Sequence, residues 1–497
     1  MRPGYPGRTP HAPPERRGSL PGVRRPARPL PIRELRDLLA LAGPLIAAQL
    51  AQIGMNTVDT VMAGRLGPDA LAGIALGGVI YQSTLILGMG VLFAVAPLVS
   101  QALGADRPDD AGRTARQGLW LALLMGVPVT LLLREVGPLL GRLGQDPGTV
   151  ALAGGYLDAV AFGYLPALAL VAARGFLEGI GDARPIMVVL LAGIAANVVA
   201  NDALMFGRYG LPALGLVGTG VATALVYTGM AAALYAYVAL RHRRYRVLRG
   251  LRRPDPGTLA TIFALGWPIG LTLGFEAALF SITAILMGTF GPDALAGHQI
   301  AIQAASVTFM VPVGLANATG VRVARAAGAR DRDGVRRAGL TGIATAIAFM
   351  SVTALVFRFA PALVVAAFLD PGAPGNAATA RYAVTFLGLA AVFQVVDGIQ
   401  VTASGALRGL RDTRVPMLLS FVSYGVVGLG SGVLLAFVAD LQGRGLWIGL
   451  VIGLATAATL LTTRFLRATR PGASGLADAP DAPDAPSAGP PGVDSPA

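Results

Sequence analysis

Twelve apolar runs, each about the 20 residues needed to cross a hydrocarbon core, constrain this 497-residue chain more than anything else in it. They fall near 38–63, 71–101, 115–136, 150–173, 185–206, 214–239, 259–286, 294–320, 338–360, 378–406, 415–438 and 445–466. Membrane strands would need short alternating segments; these runs are long and continuous, so they predict helices. Only 13% of residues are charged, against roughly 25% in soluble domains. Most of the surface must therefore face lipid. The expected fold class is an all-α polytopic membrane protein with twelve transmembrane helices.

Charge then suggests an orientation. All 40 basic residues are arginine, and the net charge is +13. If the termini and every second loop share one side, that side holds 33 arginines. The opposite side holds seven: Arg65, Arg134, Arg142, Arg208, Arg358, Arg381 and Arg444. This bias follows the positive-inside rule, which places both termini in the cytoplasm. The basic charge reads as orientation, and the aromatic–basic interleaving of nucleic-acid modules is absent, so no nucleic-acid partner is expected.

Missing residue types narrow the chemistry further. Without cysteine there is no disulfide, thiolate metal site or redox couple. His11, His242 and His298 lack metal-ligand spacing. Without lysine there is neither a Walker A loop nor a Schiff base. No cofactor is expected, and a pump of this composition would run on an ion gradient.

Residues 1–37 are rich in Pro, Arg and Gly and read as a disordered basic tail; 471–497, with DAP three times over 478–486, reads as a second one. Between them the polar stretch 241–257 divides a half at 38–240 from a half at 258–470. The halves repeat. GPDALAG occurs at 67–73 and 291–297, an offset of 224 that also aligns ALAGP (40–44) with ALGWP (264–268) and LGA (103–105) with AGA (327–329). GFLEGIGDARPIM (175–187) aligns with GALRGLRDTRVPM (405–417) at an offset of 230. Six spans per half is an even number, so the halves share one orientation. They should form two six-helix lobes related by a parallel pseudo-two-fold along the membrane normal, with a cavity between them.

Charges inside a span cost about 2.5–3.5 kcal/mol each on insertion scales, so they mark cavities and function. Asp59, Glu276 and Asp397 lie well inside their runs. Gln49, Gln52, Asn56 and Asp59 recur at helical spacing on one face, which predicts a polar stripe turned away from lipid. At the repeat offsets Glu276 takes the place of Gln52, Thr283 that of Asp59, and Asp397 that of Ala167. One half therefore offers one central acid and the other two. A carboxylate withdrawn from water can accept a proton near neutrality; two acids among hydroxyls and carbonyls could instead hold Na⁺, a hard cation. Asn197 and Asn201, one turn apart, and Gln299, Gln303, Ser306 and Asn317 on one face extend the expected lining. Asp158 and Asp202 read as mouth or surface residues, and His298 as a helix cap. Pro44, Pro97, Pro128, Pro166, Pro268 and Pro312 lie inside spans; Pro44 and Pro268 are repeat-equivalent, so a bend is expected in the first helix of each half.

VDTVMAGRLGPDALAGIALG (58–77), PLVSQALGA (97–105), AGHQIAIQ (296–303) and VDGIQVTASGALRG (396–409), with the two repeated loop blocks, resemble the MATE (multidrug and toxic compound extrusion) family over about 35–470. The resemblance implies a secondary antiporter, not an enzyme, of the NorM-like branch. It would be a monomer in the lipid bilayer of a bacterial cytoplasmic (inner) membrane, exporting amphipathic organic cations in exchange for Na⁺ or H⁺. Asp59 matches the family's first-helix aspartate tied to proton coupling. Glu276 and Asp397 match the acids tied to Na⁺, and Asn197 and Asn201 the fifth-helix asparagine pair. Phe393 stands where sodium-coupled members often have tyrosine, which removes one hydroxyl. Two other readings predict different residues. A lipid or lipid-linked oligosaccharide flippase of the same superfamily predicts cavity arginines or lysines, and a membrane-embedded transferase predicts a motif-bearing loop. The acidic and amide-rich spans and the short loops favour neither.

Overall fold

The computed structural model describes residues 31–470 apart from 143, 145, 249–253, 371 and 372. Residues 1–30 of the first expected tail and the whole of the second, 471–497, lie outside the described residues. Twelve helices are long and apolar enough to span a membrane: α1 (Pro31–Gly64), α2 (Pro68–Gly104), α3 (Pro108–Arg134), α4 (Pro147–Ile180), α5 (Arg184–Phe206) and α6 (Leu216–Arg241). The second six are α7 (Pro256–Gly288), α8 (Pro292–Gly328), α9 (Arg332–Phe359), α10 (Ala377–Gly409), α11 (Arg414–Val438) and α12 (Gln442–Ala468). No strand occurs among the described residues. At 37 residues, α8 is about 55 Å long, far more than a ~30 Å hydrocarbon core, so its ends project beyond the lipid.

α1 begins seven residues earlier than the apolar run that announced it. Residues 31–37, read as tail, are helical because their face has partners: Leu38 is buried in the core, and Glu34, one turn before it, accepts a bond from Arg322 Nε at 2.7 Å. Polarity marked a solvated segment, but burial against the second half decides otherwise. α2 breaks at Phe93–Ala94. Pro97 explains the break, since it has no N–H for the Phe93 carbonyl and its ring crowds that oxygen. Pro44, Pro128, Pro166, Pro268 and Pro312 remain inside continuous helices. α11 contains two π-helical stretches, Val422–Leu429 and Leu434–Val438.

The helix ends follow local rules. Proline occupies the first turn of α2, α3, α4, α7 and α8, where a missing N–H costs nothing. Asp255 caps α7, accepting from the Thr258 hydroxyl at 2.7 Å and the Gly257 N–H at 3.1 Å. The Thr258 bond, helped by backbone N–H groups and Arg113, holds its carboxyl below the usual carboxylate value. Such a group stabilises the fold above its unfolded pKa and stops doing so as pH falls through the folded one. Asp255→Ala should therefore cost about 1 kcal/mol near neutrality, read as a lower melting temperature in detergent. The difference should shrink below about pH 4.

Glycine contacts record the pseudo-two-fold directly. A Cβ on Gly104 would lie 2.1 Å from the Arg325 carbonyl oxygen, and one on Gly328 would lie 2.1 Å from that of Gln101. At the offset of 224, Gly104 corresponds to Gly328 and Gln101 to Arg325, so this is one contact made twice across an axis. Gly90 against Gly270 and Gly314 against Ile46 repeat the relation nearer mid-membrane. The two halves are thus six-helix lobes meeting through α1–α8 and α2–α7, as the internal repeat predicts.

The side where α1 starts and α12 ends is called the terminal side below. Ser100 Oγ donates to the Val321 carbonyl across the lobes at 2.7 Å, and Glu34 and Asp37 both reach Arg322. Among the described residues, the inter-lobe hydrogen bonds, ion pairs and glycine contacts lie at mid-membrane or on this side. Towards the opposite side the facing surfaces are uncovered. Gln303 lies three turns from Gly314 on the same face of α8 and is exposed, as are Gln299, Asn56 and Thr57. The lobes close at one end and part at the other.

Candidate functional site: buried acids in each lobe

The first-lobe acid, Asp59, is buried where α1 meets α5 and α6. Its Oδ1 accepts from Asn201 Nδ2 at 2.6 Å and its Oδ2 from Thr223 Oγ1 at 3.1 Å. Asn201 also donates to Asn197 Oδ1 at 3.2 Å. Asn201 thus holds the acid directly and ties Asn197 to it, an arrangement that the one-turn spacing of the pair did not disclose. Gly54 makes room for this packing, with Ile194 of α5 3.3 Å from where its Cβ would be.

The predicted stripe on α1 does not act as one unit. Gln52 Nε2 donates to the Tyr227 hydroxyl at 2.8 Å, and Gln49 Oε1 accepts from Arg174 at 2.9 Å. Asn56 is exposed and makes no side-chain hydrogen bond among the described residues, so it stands at the open cleft and outside the Asp59 network. The four positions span ten residues of helix, about 15 Å, so one face passes several neighbours in turn.

The second-lobe acids come together. Glu276 of α7 and Asp397 of α10 line one cavity of about 50 Å³, walled by Phe280, Phe309 and Phe393 and by Ser306, with space for a few waters. Neither acid pairs with an arginine among the described residues. Asp397 Oδ1 is buried without a hydrogen-bond partner. One turn away, Gln394 Oε1 accepts from Thr308 and from Thr353 at 3.2 Å, which ties α8, α9 and α10 together beneath the acid. Thr272 and Thr283 donate instead to their own helix, to the carbonyls of Pro268 and Leu279. Phe393 does line the cavity, so the hydroxyl that tyrosine would supply there is missing. Two carboxylates, a serine hydroxyl and aromatic walls can hold a proton or a small hard cation. Gln299 and Gln303 are exposed on α8 and form no part of this cavity.

Two expectations need correction. His298 does not cap α8, whose N-cap is Gly291; it is buried against Trp447, with ring centroids 5.7 Å apart and Nδ1 unpartnered. A position seven residues into a helix is past the orphan N–H groups that a cap serves. Arg174, placed in a loop from sequence, is buried inside α4 and lies 3.6 Å from Glu178. Its i,i+4 spacing to that glutamate within an apolar run was the available signal. Thr223 and Tyr227 on α6 were missed because neutral hydroxyls in an apolar span carry no charge to flag them. Asp202 pairs with Arg208 at 2.9 Å, and Asp158 is exposed, in keeping with surface roles.

Comparison with known proteins places this architecture. The MatE family profile matches residues 44–201 and 268–434, one segment in each lobe. A protein of Mesorhizobium japonicum called probable multidrug resistance protein NorM is 42% identical over 442 residues, covering 88% of this chain and 95% of its own. A Deinococcus radiodurans protein of the same name is 43% identical over 439 residues, covering 88% and 96%. Among solved structures, a MATE protein bound to MaL6 superposes with a TM-score of 0.80 at 23% identity, covering 87% of this chain and 96% of its own. An outward-facing MATE multidrug resistance transporter gives 0.79 at 23%, covering 88% and 97%. With its repeated lobes, its buried acids and matches that span nearly the whole of its relatives, the chain belongs to the MATE family of multi-pass membrane transporters, on its NorM-like side.

Proposed function

We propose that the protein is a secondary active multidrug efflux antiporter that exports amphipathic, mostly cationic organic compounds in exchange for Na⁺ or H⁺. One observation carries this reading: each lobe buries carboxylates that no arginine neutralises among the described residues. A buried charge without a counter-charge is costly, and an exchanged cation supplies the compensation. Both termini lie in the cytoplasm of a bacterial cell, following the arginine bias, and the chain works as a monomer. The state described here, closed on the terminal side and parted on the other, is then outward-facing. A cation entering from outside occupies the acids, and a drug rising from the cytoplasm or inner leaflet competes for the same charges before its release outwards. Linkage requires that ion and drug weaken each other's binding reciprocally. Gln52, Asn56, Asn197, Asn201, Gln299 and Gln303 supply polar contacts along the cleft and beside Asp59.

The test is export of a fluorescent organic cation from reconstituted vesicles, with a Na⁺ gradient and a pH gradient imposed separately. At least one of the two gradients should drive export in the wild type. Glu276→Gln and Asp397→Asn should each cut gradient-driven export by at least about tenfold, within the range of such couplings. Export indifferent to both gradients would overturn antiport, and wild-type rates from both variants would remove the second-lobe acids from coupling.

A further inference from the structure

Glu276 faces more than the cavity it shares with Asp397. On its terminal side it also lines a crevice of about 40 Å³ between α7, α10 and α11. The α7 wall is Ile269, Thr272, Leu273 and Glu276; the α10 wall is Gln400, Val401, Ser404 and Arg408; Asp412, Thr413 and Pro416 close the far end. Each wall follows i, i+3, i+4 spacing, so each is one face of a helix. Asp397, Gln400, Ser404 and Arg408 continue a single stripe about 16 Å long, from the shared cavity to the terminal side.

Two residues that line this crevice carry a buried oxygen without a protein partner. Gln400 is buried; its Nε2 donates to the Tyr424 hydroxyl in the π-helical part of α11, which leaves Oε1 without a partner. Thr413 Oγ1 is also buried and unpartnered. Native interiors seldom leave such acceptors idle without a reason, and amide, hydroxyl and carboxylate oxygens are what a small hard cation or its water binds. The first lobe supplies an internal comparison. At the offset of 230 its equivalents of Asp397, Gln400, Ser404 and Arg408 are Ala167, Leu170, Arg174 and Glu178. Ala167 and Leu170 are packed in the core, and Arg174 is engaged by Gln49 and Glu178. The polar seam therefore belongs to one lobe only.

Arg408 joins this crevice to a second space. It lines the crevice and also a separate inter-lobe cavity with Arg174, Glu178 and Asn317. Its repeat counterpart, Glu178, thus faces it from the other lobe across that cavity. Closed lobes confine the guanidinium between the two spaces, where its charge opposes any cation passing along the crevice. Parted lobes would let it swing into water and uncover the crevice.

We propose that this crevice carries the coupling cation between Glu276 and the aqueous phase on the terminal side, within the second lobe and apart from the drug's inter-lobe cleft, with Arg408 as its gate. The proposal rests on the coupling role given above to Glu276. It would let ion and drug leave the centre by different paths while the same lobe movement governs both.

The chain's lack of cysteine makes the test direct. Ser404→Cys places a single thiol in the crevice, to be probed with Ag⁺, a thiol-reactive cation close to Na⁺ in size. The probe is added on the terminal side of sealed, oriented vesicles. Ser100→Cys and Val321→Cys, oxidised to a disulfide, lock the lobes closed on that side. Gln400→Cys, on the Glu276 side of Arg408 along the same wall, serves as a second reporter if the first variant folds poorly. In locked protein the Ser404→Cys thiol should react slowly, and adding Arg408→Ala should accelerate it by about tenfold or more. Unlocked Arg408→Ala should also leak cations without drug, several times faster than wild type. Equal, slow reaction in locked protein with and without Arg408→Ala, with fast reaction only in Ser404→Cys protein that lacks the two cross-linking cysteines, would show that cations use the inter-lobe cleft and would overturn the route. Failure of the coupling reading is separate: Glu276→Gln would then keep gradient-driven export whatever Ag⁺ reveals.

Discussion

Asp59→Asn should reduce ion-driven export about a hundredfold, near the upper end of typical coupling energies, while the protein still folds. The substitution keeps the shape of the side chain. Its carbonyl can still accept from Asn201 Nδ2, now 2.6 Å from Oδ1. Its amide can donate to the Thr223 oxygen, which at present donates to Oδ2 at 3.1 Å. Only the charge, and with it the ability to bind a proton or cation, disappears. The contrasting variant, Asp59→Ala, removes both acceptors and strands a buried donor of Asn201, a loss of about 1–3 kcal/mol. It should lower the melting temperature as well as transport. The deciding measurement is drug affinity at equilibrium as pH and Na⁺ are varied. In Asp59→Asn the affinity should lose most of its dependence on whichever ion couples, and drug-for-drug exchange should persist. A variant that retained ion-driven export would make Asp59 a structural anchor for α5 and α6.

Gly104→Val and Gly328→Val should each hold the lobes apart on the terminal side and abolish net export. A Cβ at either position would sit 2.1 Å from a carbonyl oxygen of the other lobe, more than 1 Å closer than ordinary contact. The obstacle is helix backbone, which cannot rotate away as a side chain could. Overpacking of this kind costs about 1–3 kcal/mol. The cheapest relief is separation of the two lobes, the movement that the proposed alternating access already requires. Disulfide formation between cysteines at 100 and 321 should therefore slow by more than about tenfold, equivalent to ~1.4 kcal/mol. Because the two glycines are one contact made twice, the variants should behave alike. Gly43→Val is the control, since nothing lies within 4 Å of its added Cβ, and it should export normally. Unimpaired cross-linking and export by Gly104→Val would mean that closure does not need this approach.

The division between what was legible in the sequence and what was not follows the physics of each feature. Apolar run length announced all twelve spans, because crossing lipid is a demand on local sequence alone. It misjudged the start of α1, because residues 31–37 are helical through partners almost 300 residues away, such as Arg322 for Glu34. The repeat gave the pseudo-two-fold, since helix-packing glycines recur with their contacts. The acids Asp59, Glu276 and Asp397 were visible because a charge within a span is conspicuous wherever it points.

What holds each acid was not visible. Asn201 and Thr223 meet Asp59 across 142 and 164 residues, and such meetings depend on helix rotation and crossing, which periodicity leaves open. The sequence by itself determined the class, the count of spans, the duplication and the positions of the charges, because these follow from local burial and its cost. Only the tertiary structure decided that Asn56 stands at the open cleft while Asp59 is enclosed, that Arg174 is buried, and that Glu276 lines two cavities. Those outcomes depend on which helix faces meet, and that is settled by packing between lobes distant in sequence.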